Sequence, residues 1–234
     1  MSFKTELHCH MNFSGCSDVS AADMVEKYVA AGYSTVVVTN HFNQGYLSRE
    51  GSFEKLVRGT FDAIEEVREA AAGRLNILTG MELTLKCMPN DFLLYGITEE
   101  FISGVGEEIF DLRPWQVRDR VHEVGGIIIQ AHPFRFGQTV VNPDEIDGIE
   151  IFNGHSGQRS HNEVAKHWAL YWMEHHRRDG SYILTAGSDH HHTWQLPTAG
   201  IETEEEIVSM DQLLRVLKSG EYTRFTSSLG EMDY

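Results

Sequence analysis

The chain has 234 residues, of which 41% are hydrophobic, enough for one barrel-sized core or for two smaller ones. Its 19 Lys and Arg against 35 Asp and Glu give a formal net charge of −16, which argues against a surface that binds nucleic acid through excess positive charge. Three cysteines are too few for a disulfide framework. The sequence shows no signal peptide and no apolar run of membrane length, so we expect a cytoplasmic protein.

Apolar strands alternate with amphipathic helices from the first residues onward. The segment 3–10 predicts a strand that ends in His8 and His10, and a polar loop at 12–18 follows it. A helix capped at Ser20 and ended by Gly32 completes the first strand–helix unit. Later strands are predicted at 33–39, 76–85, 92–97, 127–130, 148–152, 182–186 and 222–225, and later helices at 53–72, 114–123, 161–178 and 210–219.

This alternation predicts an α/β fold with a parallel sheet, and about seven such units favour closure of the sheet into a barrel. The whole chain, 1–234, is expected to form a single domain, because no linker or low-complexity stretch divides it. An open doubly wound sheet is the alternative, but it gathers its ligand-binding residues at one switch point. Here candidate residues follow nearly every strand, so we expect a barrel with its site at the C-terminal ends of the strands.

His and acidic side chains at the strand ends form the candidate site. His8 and His10 are two residues apart on a strand, so both imidazoles face one side and can share an ion. Imidazole and carboxylate ligands with little thiolate are typical of hydrolytic zinc, manganese or iron centres. One ion needs three or four ligands, so the surplus indicates two or three divalent ions. The other candidates at strand ends are His41, Glu82, Asp91, His132, Asp189 and His191, and the first loop adds Cys16 and Asp18.

Several short motifs, in this order, resemble the PHP (polymerase and histidinol phosphatase) domain. They are Leu7-His8-Cys9-His10 followed by Ser14, then Thr39-Asn40-His41, Gly80-Met81-Glu82, Ala131-His132-Pro133 and Gly187-Ser188-Asp189-His190-His191. The resemblance extends from Glu6 to about His192. It implies a distorted (β/α)7 barrel, similar to a TIM barrel, that binds two or three divalent ions and hydrolyses phosphoesters.

The resemblance also implies how the ligands divide among the ions. It puts His8, His10, Glu82 and Asp189 on one ion, Glu82, Asp91 and His132 on a second, and His41, His191 and a first-loop residue on a third. That loop departs from the usual family pattern, so Cys16 and Asp18 are alternatives for the last ligand. Asn40 stands where Asp is common and carries no charge to support the imidazole. Asp91 stands where His is more frequent, which favours harder ions such as manganese or iron.

Further residues near the strand ends are candidates for substrate contact. Arg135, in the loop after the 127–130 strand, is placed to bind a phosphate through two parallel hydrogen bonds. His155 and Arg159 follow the 148–152 strand and are candidates for the same role. Catalytic roles are expected for Arg135, Asp189 and His191.

Three functions compete at this point. The first is a metal-dependent phosphoesterase that acts on a small phosphorylated metabolite or nucleotide, with a metal-bridging hydroxide attacking phosphorus. The second is a metal-dependent amidohydrolase, although Glu82, the Asp189–His191 pair and the lack of a strand-end Lys count against it. The third is a non-catalytic, metal-binding regulatory domain. No membrane partner is expected, and the acidic composition makes a stable nucleic-acid partner unexpected.

Overall fold

The computed structural model of the chain describes residues 2–155, 159–176 and 182–226. The strands of these residues are β1 (Phe3–Glu6), β2 (Tyr33–Val38), β3 (His41–Phe42), β4 (Asn76–Thr84), β5 (Asp91–Tyr95), β6 (Ile127–Gln130), β7 (Gly148–Asn153), β8 (Ile183–Gly187), β9 (Ala199–Thr203) and β10 (Thr223–Thr226). Their α-helices are α1 (Ala21–Ala30), α2 (Gln44–Glu50), α3 (Phe53–Ala71), α4 (Glu99–Val105), α5 (Pro114–Glu123), α6 (Asn162–His176) and α7 (Met210–Ser219). Short 3-10 helices occur at Glu107–Asp111 and Pro143–Glu145.

The wall of a barrel is formed by β1, β2, β4, β5, β6, β7 and β8, in this order around the sheet. Past the ends of β1 and β8 the chain pairs again and closes the ring. The Asp189 N–H donates to the His8 carbonyl (2.7 Å), and the His10 N–H donates to the His190 carbonyl (2.9 Å). The predicted distorted (β/α)7 barrel is therefore confirmed.

One strand of the wall runs against the others. β5 is antiparallel to both β4 and β6, although the alternating pattern predicted a parallel sheet. The link between β4 and β5 consists of residues 85–90, which is too short for the helical crossover that a parallel connection needs. The N-terminal end of β5 therefore lies at the same end of the barrel as the C-terminal ends of its neighbours.

The opposite end of the barrel is closed by β9, β10 and α7. β9 pairs with β1, and β10 pairs with β9. The Tyr222 hydroxyl bridges to β8 by donating to the Leu184 carbonyl (2.8 Å). Lys218 of α7 donates to the Gly125 carbonyl just before β6 (2.9 Å). Side chains of α7, Leu213 and Leu217 among them, share one buried cluster with Val37, Leu93 and Ile129 of the wall, so this helix seals the apolar interior.

Helix boundaries follow local sequence signals. Ser20 caps α1, because its side chain accepts a hydrogen bond from the Asp23 N–H, as predicted. The helix predicted at 161–178 begins one residue later, since His161 has a left-handed backbone (φ 50°) that cannot continue a helix. Its expected end, Arg178, lies outside the described residues. Within the described ranges, every helix is too short or too polar to cross a membrane.

Candidate metal centre

His8 and His10 lie just beyond the regular part of β1. The strand ends at Glu6, and the residues that follow pair with the segment after β8. Both histidines are fully buried, and their ring centroids are 5.2 Å apart. The sequence thus predicted their proximity, but the pairing with the β8 segment positions them, not a continuous strand.

Glu82 and Asp189 face these two histidines. The Nε2 atoms of His8 and His10 each lie 3.3 Å from an oxygen of Glu82. The same two atoms lie 3.4 and 3.2 Å from Oδ1 of Asp189. Asp189 has a left-handed backbone (φ 48°), a conformation that is rare for residues other than glycine and recurs at functional sites. The four side chains assigned to the first ion are therefore together.

Asp91, Glu82 and His132 form a second group. Nε2 of His132 lies 3.1 Å from Oε1 of Glu82 and 4.0 Å from Oδ2 of Asp91. Asp91 opens β5 and reaches the centre because that strand runs antiparallel to its neighbours. Thr84 donates to Oδ1 of Asp91 (2.5 Å), and Gln138 donates to Oδ2 (2.9 Å). These hydrogen bonds fix the carboxylate in a position from which it can bind an ion.

His41 and His191 form a third group with His10. The His10 ring centroid lies 4.4 Å from that of His41 and 4.1 Å from that of His191. One nitrogen from each ring lies within 4.8 Å of the others, close enough for a shared ion. His41 also contacts Glu82, with Nδ1 2.6 Å from Oε2, so the third group adjoins the first.

Of the two first-loop candidates, Cys16 contacts His41 and His191 of the third group, although its sulfur is not part of the tight cluster of ligand atoms that the three histidines form. Partial burial would raise the pKa of the Cys16 thiol, but hydrogen bonds with His191 and His41 lower it to about 6. Oδ1 of Asp18 instead accepts a hydrogen bond from the Thr193 N–H (2.7 Å). Asp18 therefore stabilises the loop that follows His191, on the outer side of the site.

The donor atoms of this centre fit divalent ions. Several buried ligand atoms lack a well-aligned hydrogen bond with any described residue, among them Nε2 of His8, both ring nitrogens of His10 and Oδ1 of Asp189. Buried polar atoms are nearly always paired, so these atoms indicate a ligand that completes them. Imidazole nitrogens and carboxylate oxygens grouped in this way are the ligands that zinc, manganese and iron take in proteins.

The ligand side chains perturb one another's ionisation. Burial would lower the pKa of His8, but the carboxylates of Asp189, Glu150 and Glu82 hold that pKa well above its ordinary value. Burial would raise the pKa of Glu82, but the imidazoles of His41 and His8 hold it well below its usual range. Protons and divalent cations therefore compete for the same side chains.

Glu150 supports the centre from β7 and was missed by the sequence analysis. Its Oε1 lies 3.0 Å from Nδ1 of His8, and its Oε2 accepts hydrogen bonds from the His132 N–H and from Nδ2 of Asn153, both at 2.9 Å. A carboxylate that accepts a hydrogen bond from Nδ1–H keeps the proton on Nδ1. This tautomer leaves the lone pair of Nε2 free for an ion. Gly187 makes room for this contact, since a Cβ there would clash with His8 and lie 2.8 Å from Oε1 of Glu150.

Arg135 reaches the centre through the loop after β6. Its Nη2 donates to Oδ2 of Asp189 (2.6 Å) and to Oδ1 of Asn153 (2.9 Å). Burial would lower the pKa of the guanidinium, but Asp189 raises it above its usual value, so the group stays charged. Its Nε is buried and has no hydrogen-bond partner among the described residues. Part of the fork is thus available to an anion.

The two other predicted substrate residues differ in position. The His155 ring centroid lies 4.9 Å from that of His191, at the edge of the third group. Burial lowers the pKa of His155 to about 4, so its imidazole is neutral at physiological pH. Arg159 is exposed and follows residues 156–158, which lie outside the described ranges.

Asn40 holds the first loop in place. Its Oδ1 accepts hydrogen bonds from the Met11 N–H (3.0 Å) and the Ser14 hydroxyl (3.1 Å). The Ser14 oxygen in turn accepts a hydrogen bond from the His41 N–H (3.0 Å). An uncharged amide is sufficient for these contacts, so Asn at this position leaves the support of the loop intact.

Comparisons with known proteins agree with the barrel and its centre. The sequence model of the PHP domain matches residues 6–183, and the chain belongs to the PHP domain family. No curated protein sequence matches the chain significantly. A two-domain protein from Bacteroides vulgatus that contains a predicted PHP-like metal-dependent phosphoesterase is similar in structure, with a TM-score of 0.68 and 15% identity. That match covers 97% of this chain and 65% of the Bacteroides protein.

Two other solved structures share the fold. An amidohydrolase from Chromobacterium violaceum, with bound sulfate and no metal, has a TM-score of 0.54 at 14% identity, over 94% of this chain and 98% of its own. A lesion-specific endonuclease from Pyrococcus furiosus has a TM-score of 0.64 at 15% identity, over 97% of this chain and 58% of its own. The chain thus spans less than two thirds of the Bacteroides and Pyrococcus proteins.

Proposed function

We propose that the chain is a metal-dependent phosphoesterase that hydrolyses the phosphate ester of a small metabolite or nucleotide. The observation that carries this proposal is the position of Glu82. Its two oxygens contact His8, His10, His41 and His132, so one carboxylate joins all three groups of ligands. Ions held this close together, with a guanidinium beside them, suit a substrate that carries several negative oxygens.

Three ions are assigned to these groups, with zinc, manganese and iron as the candidates. The first ion would be held by His8, His10, Glu82 and Asp189, the second by Glu82, Asp91 and His132, and the third by His41, His191 and Cys16. Bound divalent ions supply Lewis acidity and lower the pKa of coordinated water, as hydrolysis of a phosphoester requires. Supporting residues such as Glu150 orient the metal ligands, and Arg135 offsets the negative charge of the phosphate.

Arg135 is assigned to the non-bridging oxygens of the phosphate. Its Nη2 holds Asp189, which leaves the rest of the guanidinium for a second anion. Only 14% of the side chain is exposed, so a contact with phosphate would be shielded from water and correspondingly strong. His155, at the edge of the third group, is assigned a contact with the remainder of the substrate.

The competing functions have less support. An amidohydrolase shares the barrel, but the described centre has no lysine, and Arg135 is better suited to a tetrahedral phosphate. The Pyrococcus structure is named a lesion-specific endonuclease, but a net charge of −16 disfavours binding of a long polyanion by this chain. We therefore propose a small substrate. We also propose a reducing cytoplasm as the compartment, where Cys9, Cys16 and Cys87 remain free thiols.

The proposal is tested with purified protein that has been stripped of metal and reloaded separately with Mn²⁺, Zn²⁺ or Fe²⁺. Phosphate release is measured from p-nitrophenyl phosphate, sugar phosphates and nucleoside monophosphates. Hydrolysis of amide and lactone substrates and cleavage of a duplex with an abasic site are assayed in parallel. We expect phosphate release from small esters that depends on metal and is lost in Glu82→Gln, while Glu204→Gln, on the exposed surface, retains it. Hydrolysis of amides alone, or of DNA alone, would overturn the proposal.

A further inference from the structure

Glu6 is a fully buried carboxylate that belongs to none of the ligand groups. Its Oε1 accepts hydrogen bonds from three backbone N–H groups, those of Leu7 (3.0 Å), His8 (2.9 Å) and Ser188 (2.9 Å). Its Oε2 accepts one from the Tyr28 hydroxyl of α1 (3.1 Å). One side chain therefore satisfies four donors.

These donors lie where the regular ladder of β1 stops. The strand ends at Glu6, so Leu7 and His8 would have unpaired, buried N–H groups without the carboxylate. The third donor, Ser188, belongs to the segment after β8. The Ser188 hydroxyl is itself fixed, since it accepts hydrogen bonds from the N–H groups of Thr198 (2.8 Å) and Ala199 (3.1 Å). A single oxygen of Glu6 thus joins two segments of the barrel wall.

Each of these two segments carries metal ligands immediately beyond the junction. His8 and His10 follow Glu6. Asp189, which has a strained left-handed backbone, follows Ser188. The distances of 3.4 and 3.2 Å between the two histidines and Asp189 depend on how the segments are joined. A shift of one segment relative to the other at the junction would therefore change the distances between the two histidines and Asp189.

We propose that Glu6 is a positioning residue of the metal centre, which sets the separation between His8 and Asp189 by bridging the two segments that carry them. This inference rests on the proposed metal-dependent function, since it concerns the same centre. The bridge needs an acceptor of the right length and does not need a charge.

Two substitutions at position 6 separate length from charge. Glu6→Gln keeps an acceptor oxygen at the same reach, and the Tyr28 hydroxyl can rotate to accept a hydrogen bond from the new amide. Glu6→Asp keeps the charge but is shorter by one carbon–carbon bond, roughly 1.5 Å. The aspartate can still accept from its neighbours in sequence, but Ser188 falls outside hydrogen-bonding distance.

The experiment titrates metal-free protein with Co²⁺, followed by the visible absorption of the bound ion, and measures thermal unfolding of the same metal-free samples. We expect Glu6→Asp to weaken Co²⁺ binding about 10- to 100-fold and to change the spectrum, as loss of a group that orients ligands does. Glu6→Gln should stay within about threefold of the wild type. Tyr28→Phe, the matched control, removes the hydrogen bond to Oε2 and leaves the bridge, so its Co²⁺ affinity should also be nearly unchanged.

The outcomes separate positioning from simple stabilisation. If Glu6→Asp unfolds at a lower temperature but binds Co²⁺ with wild-type affinity and spectrum, Glu6 only stabilises the fold and the inference is overturned. It is also overturned if Glu6→Gln loses as much affinity as Glu6→Asp. The titration requires no substrate, so a wild type that binds Co²⁺ but hydrolyses no phosphoester contradicts the proposed function while these comparisons still decide the role of Glu6.

Discussion

Glu150→Gln is expected to weaken metal binding although it changes only one atom. The carboxylate accepts from His8 on one oxygen and from His132 and Asn153 on the other. A glutamine has a single acceptor oxygen, so one of the two sides must face an NH₂ group. If the NH₂ group faces the His132 N–H and Nδ2 of Asn153, it meets two other hydrogen-bond donors in the protein interior and none of the three finds an acceptor there.

If the NH₂ group faces His8 instead, the imidazole has to accept a hydrogen bond at Nδ1. Its proton then moves to Nε2, the nitrogen that faces Glu82 and Asp189 at 3.3 and 3.4 Å. A protonated Nε2 cannot bind an ion. Both orientations therefore disturb the first ligand group, and we expect metal affinity to fall about 10- to 100-fold. That loss corresponds to about 1.4 to 2.7 kcal/mol.

The assay is a competitive titration of metal-free protein with Mn²⁺ or Zn²⁺ in the presence of a chromophoric chelator. Glu204→Gln, which makes the same chemical change on the exposed surface, is the control. Circular dichroism of both variants confirms that the fold is retained. Equal affinities for the wild type and a folded Glu150→Gln would refute the view that this carboxylate fixes the His8 tautomer.

Four other predictions follow from the geometry of the centre. Cys16→Ser should lower the metal content by up to one ion per chain whereas Asp18→Asn should not, as elemental analysis after dialysis would reveal. Arg135→Ala should reduce kcat/KM roughly 30- to 1,000-fold, with partial rescue by Lys, and equal rates for all three proteins would contradict a phosphate contact. Metal affinity should rise between pH 6 and pH 8, because the raised pKa of His8 means that an ion must displace a proton; calorimetry in two buffers would measure that release. Gly187→Ala should destabilise the protein by about 1–3 kcal/mol in urea unfolding, since its Cβ has no space beside His8.

Much of the fold was predictable because strand and helix periods are local properties of the sequence. The capped helix after Ser20 and the β-branched strand before His41 are examples. The reversal of β5 depends instead on the length of one link, residues 85–90, and on pairing partners that are distant in sequence. Helices α2 and α4 were missed because each has only seven residues, too few to establish a periodic pattern.

The candidate ligands were recognisable because His, Asp and Glu recur at strand ends, whereas their supports are hidden inside strands. Glu150 lies in the middle of an apolar segment, Gly148-Ile149-Glu150-Ile151-Phe152, and Glu6 is the last residue of β1. A buried charge in such a segment needs partners, which was the available signal. Which partners it finds depends on the closed barrel, so the contacts of Glu150 with His8 and of Glu6 with Ser188 required the structure.

The seal that α7 provides affects where the protein can be cut. The family match ends at residue 183, but Asp189, His191 and α7 lie beyond it. A fragment trimmed to the match would keep most of the motifs that identify the family and lose Asp189 and His190, the backbone partners of His8 and His10. Its interior would open to water where Leu213 and Leu217 now pack, and exposed apolar surface of that kind drives aggregation. Expression boundaries taken from the sequence match alone would therefore yield an insoluble protein whose metal site lacks Asp189 and His191.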